Sequence, residues 1–296
     1  MSNIRRSYVQ PLAGSKGGKS KKDAPDPISH CSNGWFPVNG VHLAELQKRI
    51  TQGEFKGKRE ELLQEISKDI ALFTYCLRES FIRSDSVIED IVKELETMSD
   101  EKLFEILLVS PETISSHGLI SLPKSQTSRI RQALVSSKTA SLLGEKSGVG
   151  SWKAFCASIL RQLGHNLIAW NYPSVYSRAL NQHSIGNGTL ENHVKSSIGI
   201  SPDTLTINLV RSWNCGENIQ RLVSDTLSED ESEDLLIKVC SAGESYSKLS
   251  DPEHFPEVGK EWKAIVDEIE SYLGTGGIDF LNEKIQEGSQ LYASSS

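Results

Sequence analysis

The sequence predicts an all-α protein, a compact multi-helix bundle that follows a flexible N-terminal tail. Apolar residues recur at three- and four-residue spacing through most of the chain after residue 30, which is the pattern of amphipathic helices. Alternating apolar and polar residues, the pattern of strands, are scarce, and the short candidates are residues 32–40 and 118–122. Several of the apolar runs also follow a residue type that caps helices.

The composition excludes two broad classes of partner. Of the 296 residues, 37% are hydrophobic and 24% are charged, and the formal net charge is −7. This acidic balance argues against general nucleic-acid binding, which needs a basic face to displace phosphate counterions. No stretch approaches the roughly 18 apolar residues that a membrane span needs. We therefore expect neither nucleic acid nor membrane as a partner.

The cysteines indicate a reducing compartment. The five of them are scattered, and no two have the CxxC spacing of a redox or metal motif. Most fall in apolar segments, which favours reduced thiols that pack as small core residues. The first residues carry charge but no apolar run, so no secretory signal is predicted. Together these features predict a cytoplasmic protein.

Residues 1–30 are predicted to be a flexible basic tail. Within it, residues 13–20 read AGSKGGKS, which fits the loosest form of a nucleotide phosphate loop, with Ala13 in place of the first glycine. Such a loop needs a strand before it and a helix after it. Pro25 and Pro27 follow instead and prevent a helix. The solvated tail is therefore the favoured interpretation.

The periodicity places helices along nearly the whole remaining chain, with no internal repeat. In chain order, the predicted segments are residues 59–81, 84–95, 99–112, 125–148, 151–170, 173–182, 189–199, 201–213, 216–227, 235–249, 257–274 and 276–286. We divide this part into one helical domain, residues 31–250, and C-terminal helices, residues 251–296, that pack on it. Four tryptophans in or at the ends of helices are expected in the core: Trp152, Trp170, Trp213 and Trp262.

Local signals fix some of the helix boundaries. The segment 59–81 is expected to bend or break near residues 68–69. Asp85 or Ser86 is expected to cap the next helix, and a cap is expected near Ser99 for the one after it. Ser201 is followed by Pro202 and an acidic residue, a combination that favours a helix start.

Three segments, taken in order, resemble the HDOD domains (HD-related output domains). The first is EISKDIALFTYCLRES, the second FCASILRQLGHNLIAWNYPSVYSRAL and the third TLENHVKSSIGISPDTLTINLVRSWNCGENIQRLV. The residues that fit the family pattern are Asp69, Leu72, Leu77, Arg78, Leu160, Gly164, Pro173, Tyr176, Glu191, Gly199, Leu205, Trp213, Asn214 and Ile219. Departures from it are Ile70, Glu79, Ser80 and Gly216. The resemblance covers roughly residues 41–240.

The resemblance implies the architecture of HD phosphohydrolases and a role in bacterial signalling. The resemblance also implies how the catalytic HD phosphohydrolases work: they hold metal ions that activate water, and the ligands are a His, a His-Asp doublet and a further Asp. Alignment on Gly164 puts Arg161 and Gln162 at the doublet positions. The alternative frame, His165 with Asn166, lacks the carboxylate and has the glycine on the wrong side. Neither frame predicts a metal site, a catalytic residue or a cofactor.

Arg161, Gln162 and His165 remain as candidate residues for binding a ligand or a partner. Arg161 lies among apolar neighbours, so its charge must reach solvent or an anion. A salt bridge from Arg161 to a carboxylate of the bundle is the structural alternative. The other histidines have no HxxxH or HExxH spacing, and they are expected to be solvated or singly hydrogen-bonded.

The leading functional hypothesis is a non-catalytic regulatory module that binds another signalling protein or a small ligand. The first alternative is a metal-dependent HD-type phosphohydrolase that acts on nucleotides, and it would need bound metal. The second alternative is an oligomeric scaffold held together by the C-terminal helices.

Overall fold

The structure is a computed structural model that describes residues 26–114, 122–224 and 231–293. Its first helices are α1 (Pro27–Ser32), α2 (Gly40–Thr51), α3 (Arg59–Ile66), α4 (Ile70–Ile82), α5 (Ile91–Thr97), α6 (Asp100–Leu107), α7 (Pro111–Ile114) and α8 (Lys124–Ser147). The later ones are α9 (Ser151–Arg161), α10 (Leu163–Asn171), α11 (Pro173–Ser184), α12 (Leu190–Ile198), α13 (Pro202–Ser212), α14 (Glu217–Val223), α15 (Glu231–Leu249), α16 (Val258–Leu273) and α17 (Gly277–Ala293). The predicted all-α class is confirmed.

Two of the sequence expectations concern segments that are not described. The glycine- and lysine-rich stretch 13–20 lies outside the described residues, as does nearly all of the candidate strand 118–122. In the other candidate strand, residues 32–40, Ser32 ends α1 and Gly40 begins α2, and the non-helical link between them forms no strand. Its Trp35 N–H bonds to the side chain of Asn171, 2.6 Å away, at the end of α10. The Asn171 side chain thus accepts a backbone hydrogen bond that a neighbouring strand would otherwise accept.

The predicted break near residues 68–69 is confirmed, and Asp69 explains it. The Asp69 Oδ1 atom accepts hydrogen bonds from Ala71 N at 2.9 Å and Leu72 N at 3.1 Å, which caps the first turn of α4. Its Oδ2 atom accepts from Asn39 N at 2.7 Å, just before α2. A fully buried carboxylate therefore starts α4 and ties the residue that caps α2 to it.

The predicted caps at Asp85 or Ser86 are wrong, whereas Ser99 and Ser201 are confirmed as caps. Helix α5 begins only at Ile91, with Asp90 as its cap. The preceding residues do not become helical because Ile88 pairs in the manner of a strand with the chain after α13. Ile88 N donates to Asn214 O at 3.0 Å, and Ile88 O accepts from Gly216 N at 2.8 Å.

The segment 151–170, expected to be one helix, is broken into α9 and α10 at Gln162. Gly164 lies just after the break, and its N–H donates to Thr206 Oγ1 of α13 at 2.9 Å. A Cβ atom at position 164 would collide with Pro202 O. The chain therefore changes direction between α9 and α10 where α13 approaches it closely. The periodicity of the segment 151–170 alone does not reveal this change.

Helix α8 lies at the centre of the bundle and packs against α9, α10 and α15. The C-terminal helices α16 and α17 also contact α8, and α16 packs on α15 as well. Trp170 and Trp213 are buried, as expected, but Trp262 on α16 is 55% exposed, so its expected core position is wrong. The five cysteines are buried, and none of them forms a disulfide bond within the described residues. No helix in the described part of the chain is long and apolar enough to cross a membrane.

Candidate functional site

The interior of the bundle contains a charged residue, Arg129, where α8 faces the break between α9 and α10. The residue is only 7% exposed. Its Nε atom donates to Asn166 Oδ1 at 2.6 Å, and its Nη1 atom donates to Gln132 Oε1 at 3.2 Å. Its Nη2 atom donates to Gln162 Oε1. Amide oxygens, which are neutral, thus surround the guanidinium.

Gln162 is held on both sides of its amide group. While its oxygen faces Arg129, its Nε2 atom donates to Ser136 Oγ at 2.7 Å and to Ser158 O at 3.2 Å. The Ser136 and Ser158 hydroxyls are themselves 3.0 Å apart. Since every polar atom of the amide has a partner, the orientation of the Gln162 side chain is fixed.

The network around Arg129 reaches a carboxylate through Gln132. Gln132 Nε2 donates to Asp251 Oδ2 at 2.9 Å, and Ser128 Oγ donates to the same oxygen at 2.7 Å. The other oxygen, Asp251 Oδ1, lies 2.8 Å from His254 Nδ1. Asp251 follows α15, so this polar network connects α8 to the chain that leads into the C-terminal helices. We call the set Arg129, Gln132, Gln162, Asn166 and Asp251 the Arg129 network.

His165 lies beside this network at the start of α10. Its Nδ1 atom is 3.4 Å from the Tyr176 hydroxyl, and its Nε2 atom is 3.8 Å from Glu191 Oε1 of α12. Burial lowers the pKa of the His165 imidazole well below its usual value, and the positive charges of Arg129 and Lys248 lower the pKa further. The imidazole is therefore neutral at physiological pH, which reduces its attraction to Glu191.

Arg161 faces a different part of the bundle from Gln162. Its side chain is 6% exposed, and its Nε atom lies 3.1 Å from Glu244 Oε1 of α15. The Nη1 atom donates to Leu222 O at 3.0 Å, at the end of α14, and Nη2 donates to Ser241 Oγ at 3.3 Å. The salt bridge that the sequence left open as an alternative is thus present. The structure groups Gln162 and His165 near Arg129 and separates Arg161 from them.

Arg129 is the central residue that the sequence analysis missed. It lies in a helix-patterned stretch where charged residues are usually solvated. A signal does exist in the spacing, because polar residues recur every three or four positions along one face of α8. These buried residues are Gln126, Arg129, Gln132 and Ser136. A polar stripe inside an otherwise apolar bundle predicts a buried hydrogen-bond network.

The chemistry available at this centre is hydrogen bonding rather than metal binding. A guanidinium is protonated at any ordinary pH and repels a divalent cation. Amide oxygens coordinate hard cations less strongly than carboxylates do. Across the described residues, no group of three or more His, Cys, Asp or Glu side chains lies close enough together to hold a metal ion.

Comparisons with known proteins agree with this architecture. The family model for the HDOD domain matches residues 106–226. A crystal structure of the MmoQ response regulator from Methylococcus capsulatus strain Bath has the same fold, with a TM-score of 0.61. The two chains are 16% identical, and the similarity covers 84% of this chain and 98% of that one. Among curated proteins, none matches this chain.

The matched residues contain the features on which the site depends. They include α8, the break at Gln162 and the start of α14, whereas the earlier segment around Asp69 lies outside them. The helical fold was expected from the resemblance, and the second and third segments that carried the resemblance lie entirely within the matched range. The chain therefore contains a segment, residues 106–226, that matches the HDOD domain.

Proposed function

We propose that this chain is a non-catalytic regulatory module that acts by binding another signalling protein. The observation that carries the proposal is the hydrogen bond from Arg129 to Gln162. In the alignment on Gly164, Gln162 stands where the catalytic relatives have the carboxylate of their doublet. A protein cation and a neutral amide thus meet where hydrolysis requires a metal ion and a negative ligand.

The signalling part of the proposal has separate support. The chain has the HDOD domain, and the structure with the same fold is named a response regulator. A bacterial setting follows from the family resemblance, and a cytoplasmic one from the scattered cysteines and the lack of a predicted secretory signal; both remain part of the proposal. The helical surface, rather than a reaction centre, would then transmit the signal.

Among the three predicted binding residues, His165 is the best placed for a partner contact. Its side chain is 17% exposed, whereas that of Arg161 is 6% exposed and engaged by α14 and α15. His165 faces Glu191, whose side chain is 43% exposed on α12. The surface of α12 next to His165 is therefore the part of the domain that we assign to the partner.

The part of the proposal that calls the chain non-catalytic is tested on the purified full-length chain. Iron, manganese and zinc are measured, and nucleotide hydrolysis is followed with each metal added. We expect metal far below one equivalent and no hydrolysis above the rate without protein. Stoichiometric metal together with turnover would establish the phosphohydrolase alternative and overturn this half of the proposal.

The binding half is tested with tagged chain in its native cells. Glu191→Lys is expected to remove the captured partner, since it reverses a charge on α12 beside His165. Asp267→Lys is the matched control, because it reverses an exposed carboxylate on a different helix, α16. If both variants capture the same protein as the wild type, the contact is not at His165 and α12. Light scattering with and without residues after Asp251 separately tests the scaffold alternative.

A further inference from the structure

Lys138 of α8 lies in surroundings unlike those of an ordinary surface lysine. Helix α9 packs against α8, and the Lys138 Nζ atom is 5.2 Å from the centre of the Phe155 ring on α9. The lysine is only partly exposed, whereas Lys93 of α5 and Lys260 of α16 are exposed. It belongs neither to the Arg129 network nor to the surface of α12 beside His165. The function proposed above therefore does not use its amine.

Phe155 belongs to a cluster of three aromatic rings from two helices. The ring centres of Phe73, on α4, and Phe155 are 5.1 Å apart, and those of Trp152 and Phe155 are 5.6 Å apart, both pairs edge to face. Phe73 and Trp152 stack on each other with their ring centres 6.1 Å apart. Phe73 and Phe155 are buried, whereas Trp152 is partly exposed. The amine of Lys138 thus lies against an apolar cluster that reaches the surface at Trp152.

The amine of Lys138 has no carboxylate that would hold it in the charged form. With the described residues it forms neither an ion pair nor a hydrogen bond. The Phe155 ring attracts the ammonium form, yet the loss of water around an unpaired cation disfavours that form. Burial therefore lowers the pKa of the Lys138 amine, and the positive charge of Lys68, in the link between α3 and α4, lowers the pKa further.

The same amine remains accessible from outside. Several polar atoms without a hydrogen-bond partner are sealed from solvent in the described part of the chain, and Thr139 Oγ1 of the next residue is one of them. Lys138 Nζ is not among these sealed atoms. A small reagent can therefore reach it without any movement of the helices. Since a neutral amine is a nucleophile and an ammonium group is not, the position combines access with reactivity.

We infer that Lys138 is a site of covalent acylation, and that its substrate is a small activated acyl group carried by an acyl phosphate or an acyl thioester. The neutral amine attacks the carbonyl carbon, so a C–N bond forms. The C–O bond to the phosphate, or the C–S bond to the thiol, breaks, and the leaving group departs with the bonding electron pair. The amine releases one proton to solvent. The step needs no oxidant or reductant.

Acylation changes the contacts of Lys138 inside the bundle. The product amide has no charge, so the cation–π contact with Phe155 is lost. The added methyl group is apolar and packs favourably against the aromatic cluster. Because α8 contacts both α4 and α9, the modification acts where three helices meet. It gives the module a covalent input that is separate from its protein contact at α12.

The test uses the full-length chain with two reagents, acetyl phosphate and the acetyl thioester of N-acetylcysteamine. Acetylation of each lysine at pH 7.5 is followed by mass spectrometry of the digested protein. We expect Lys138 to react at least about threefold faster than Lys93 and Lys260 with one or both reagents, because more of its amine is neutral. The reagent that reacts identifies the acyl donor. Above the usual lysine pKa of about 10.4, the advantage of Lys138 should disappear, because the exposed lysines are then neutral as well.

Lys68→Gln tests whether the surroundings of Lys138 cause its reactivity. The Lys68 side chain is 46% exposed, so the substitution leaves the fold intact. Removing this positive charge raises the pKa of the Lys138 amine, so acetylation of Lys138 at pH 7.5 should slow by about twofold or more. Lys263→Gln, which removes an exposed lysine of α16, is the matched control and should leave the rate unchanged.

Two results would overturn the inference. One is acetylation of Lys138 at pH 7.5 that is no faster than that of Lys93 and Lys260 with both reagents. The other is an equal effect of Lys68→Gln and Lys263→Gln on the rate at Lys138. Either failure leaves the proposed function untouched, since Lys138 belongs neither to the Arg129 network nor to the surface of α12.

Discussion

Arg129 of α8 donates to Gln162 at the α9–α10 break, so a side chain of the protein supplies the positive charge at this point inside the bundle. The nearest hydrogen-bonded carboxylate, Asp251, is reached only through Gln132. A buried charge is tolerated when it is hydrogen-bonded on all sides. This arrangement explains how the helical bundle accommodates a charged side chain at its centre.

The first prediction concerns the stability that Arg129 provides. Arg129→Ala should lower the free energy of unfolding by about 3 kcal/mol, because the amide oxygens of Gln132, Gln162 and Asn166 lose their donor and a cavity forms. Urea unfolding followed by circular dichroism measures the change. Arg131→Ala, which alters an exposed residue of the same helix, should change it by less than about 0.5 kcal/mol. Equal effects of the two substitutions would show that the network is not stabilising.

The second prediction concerns the salt bridge between Arg161 and Glu244. Arg161→Glu would put two carboxylates together at a site that is 6% exposed, so the chain should fail to fold stably. Glu244→Gln keeps a hydrogen-bond acceptor and should lower the free energy of unfolding by only about 1 kcal/mol. Denaturant curves for both variants test this. A stable Arg161→Glu protein would instead mean that the residue reaches solvent and is free for a ligand.

The third prediction is a pH dependence of stability from His165. Because the pKa of its imidazole is lowered in the folded state, the unfolded chain binds the proton more readily. The contribution is therefore fully present above the usual histidine pKa of about 6.5 and is lost as the pH falls toward the folded value, by up to about 1.4 kcal/mol per pH unit. Unfolding free energies of wild type and His165→Gln from pH 7.5 to 5 measure it. The variant should show the shallower decline, and parallel curves would contradict the assignment.

The fourth prediction separates two glycines by their surroundings. Gly164→Ala should lower the free energy of unfolding by about 1–3 kcal/mol, because the new methyl group meets the backbone of Pro202 and the Thr206 side chain. Gly259→Ala, in α16, has open space around the added atom and should raise it by up to about 1 kcal/mol. Thermal unfolding of both variants decides the matter. A neutral Gly164→Ala would mean that α13 can move away from α10.

Much of the fold was predictable because its signals are local. The caps at Ser99 and Ser201 depend on a side chain and the two or three residues after it. The break at Gln162 and the late start of α5 depend instead on distant segments. The break at Gln162 depends on the contact of α13 with Gly164. The late start of α5 depends on the pairing of Ile88 with the chain after α13. Spacing along one segment contains no information about such neighbours.

The candidate site was predictable only in part, for a related reason. Arg161 ends α9 and Gln162 lies at the break, and their side chains have different partners: Arg161 bonds to α14 and α15, whereas Gln162 accepts from Arg129 of α8. The alignment on Gly164 gives the positions of the doublet but not the directions of its side chains. Arg129 lies more than thirty residues away from Gln162 along the chain, and only the packing of α8 against α9 brings the two together.

The last prediction concerns how the C-terminal helices are held. Asp251 accepts from Ser128 and Gln132 of α8 and contacts His254, so one carboxylate joins α8 to the chain that enters α16. Asp251→Ala leaves these groups unpaired. It should therefore loosen α16 and α17 more than the centre of the bundle.

Hydrogen exchange measures this difference segment by segment. Amides of α16 and α17 should exchange faster in Asp251→Ala than in the wild type, while those of α9 should change little. Asp267→Ala is the matched control, because it removes an exposed carboxylate of α16. Faster exchange throughout the bundle would show that the C-terminal helices and the domain unfold as one unit, in which case the boundary near residue 250 has no energetic meaning.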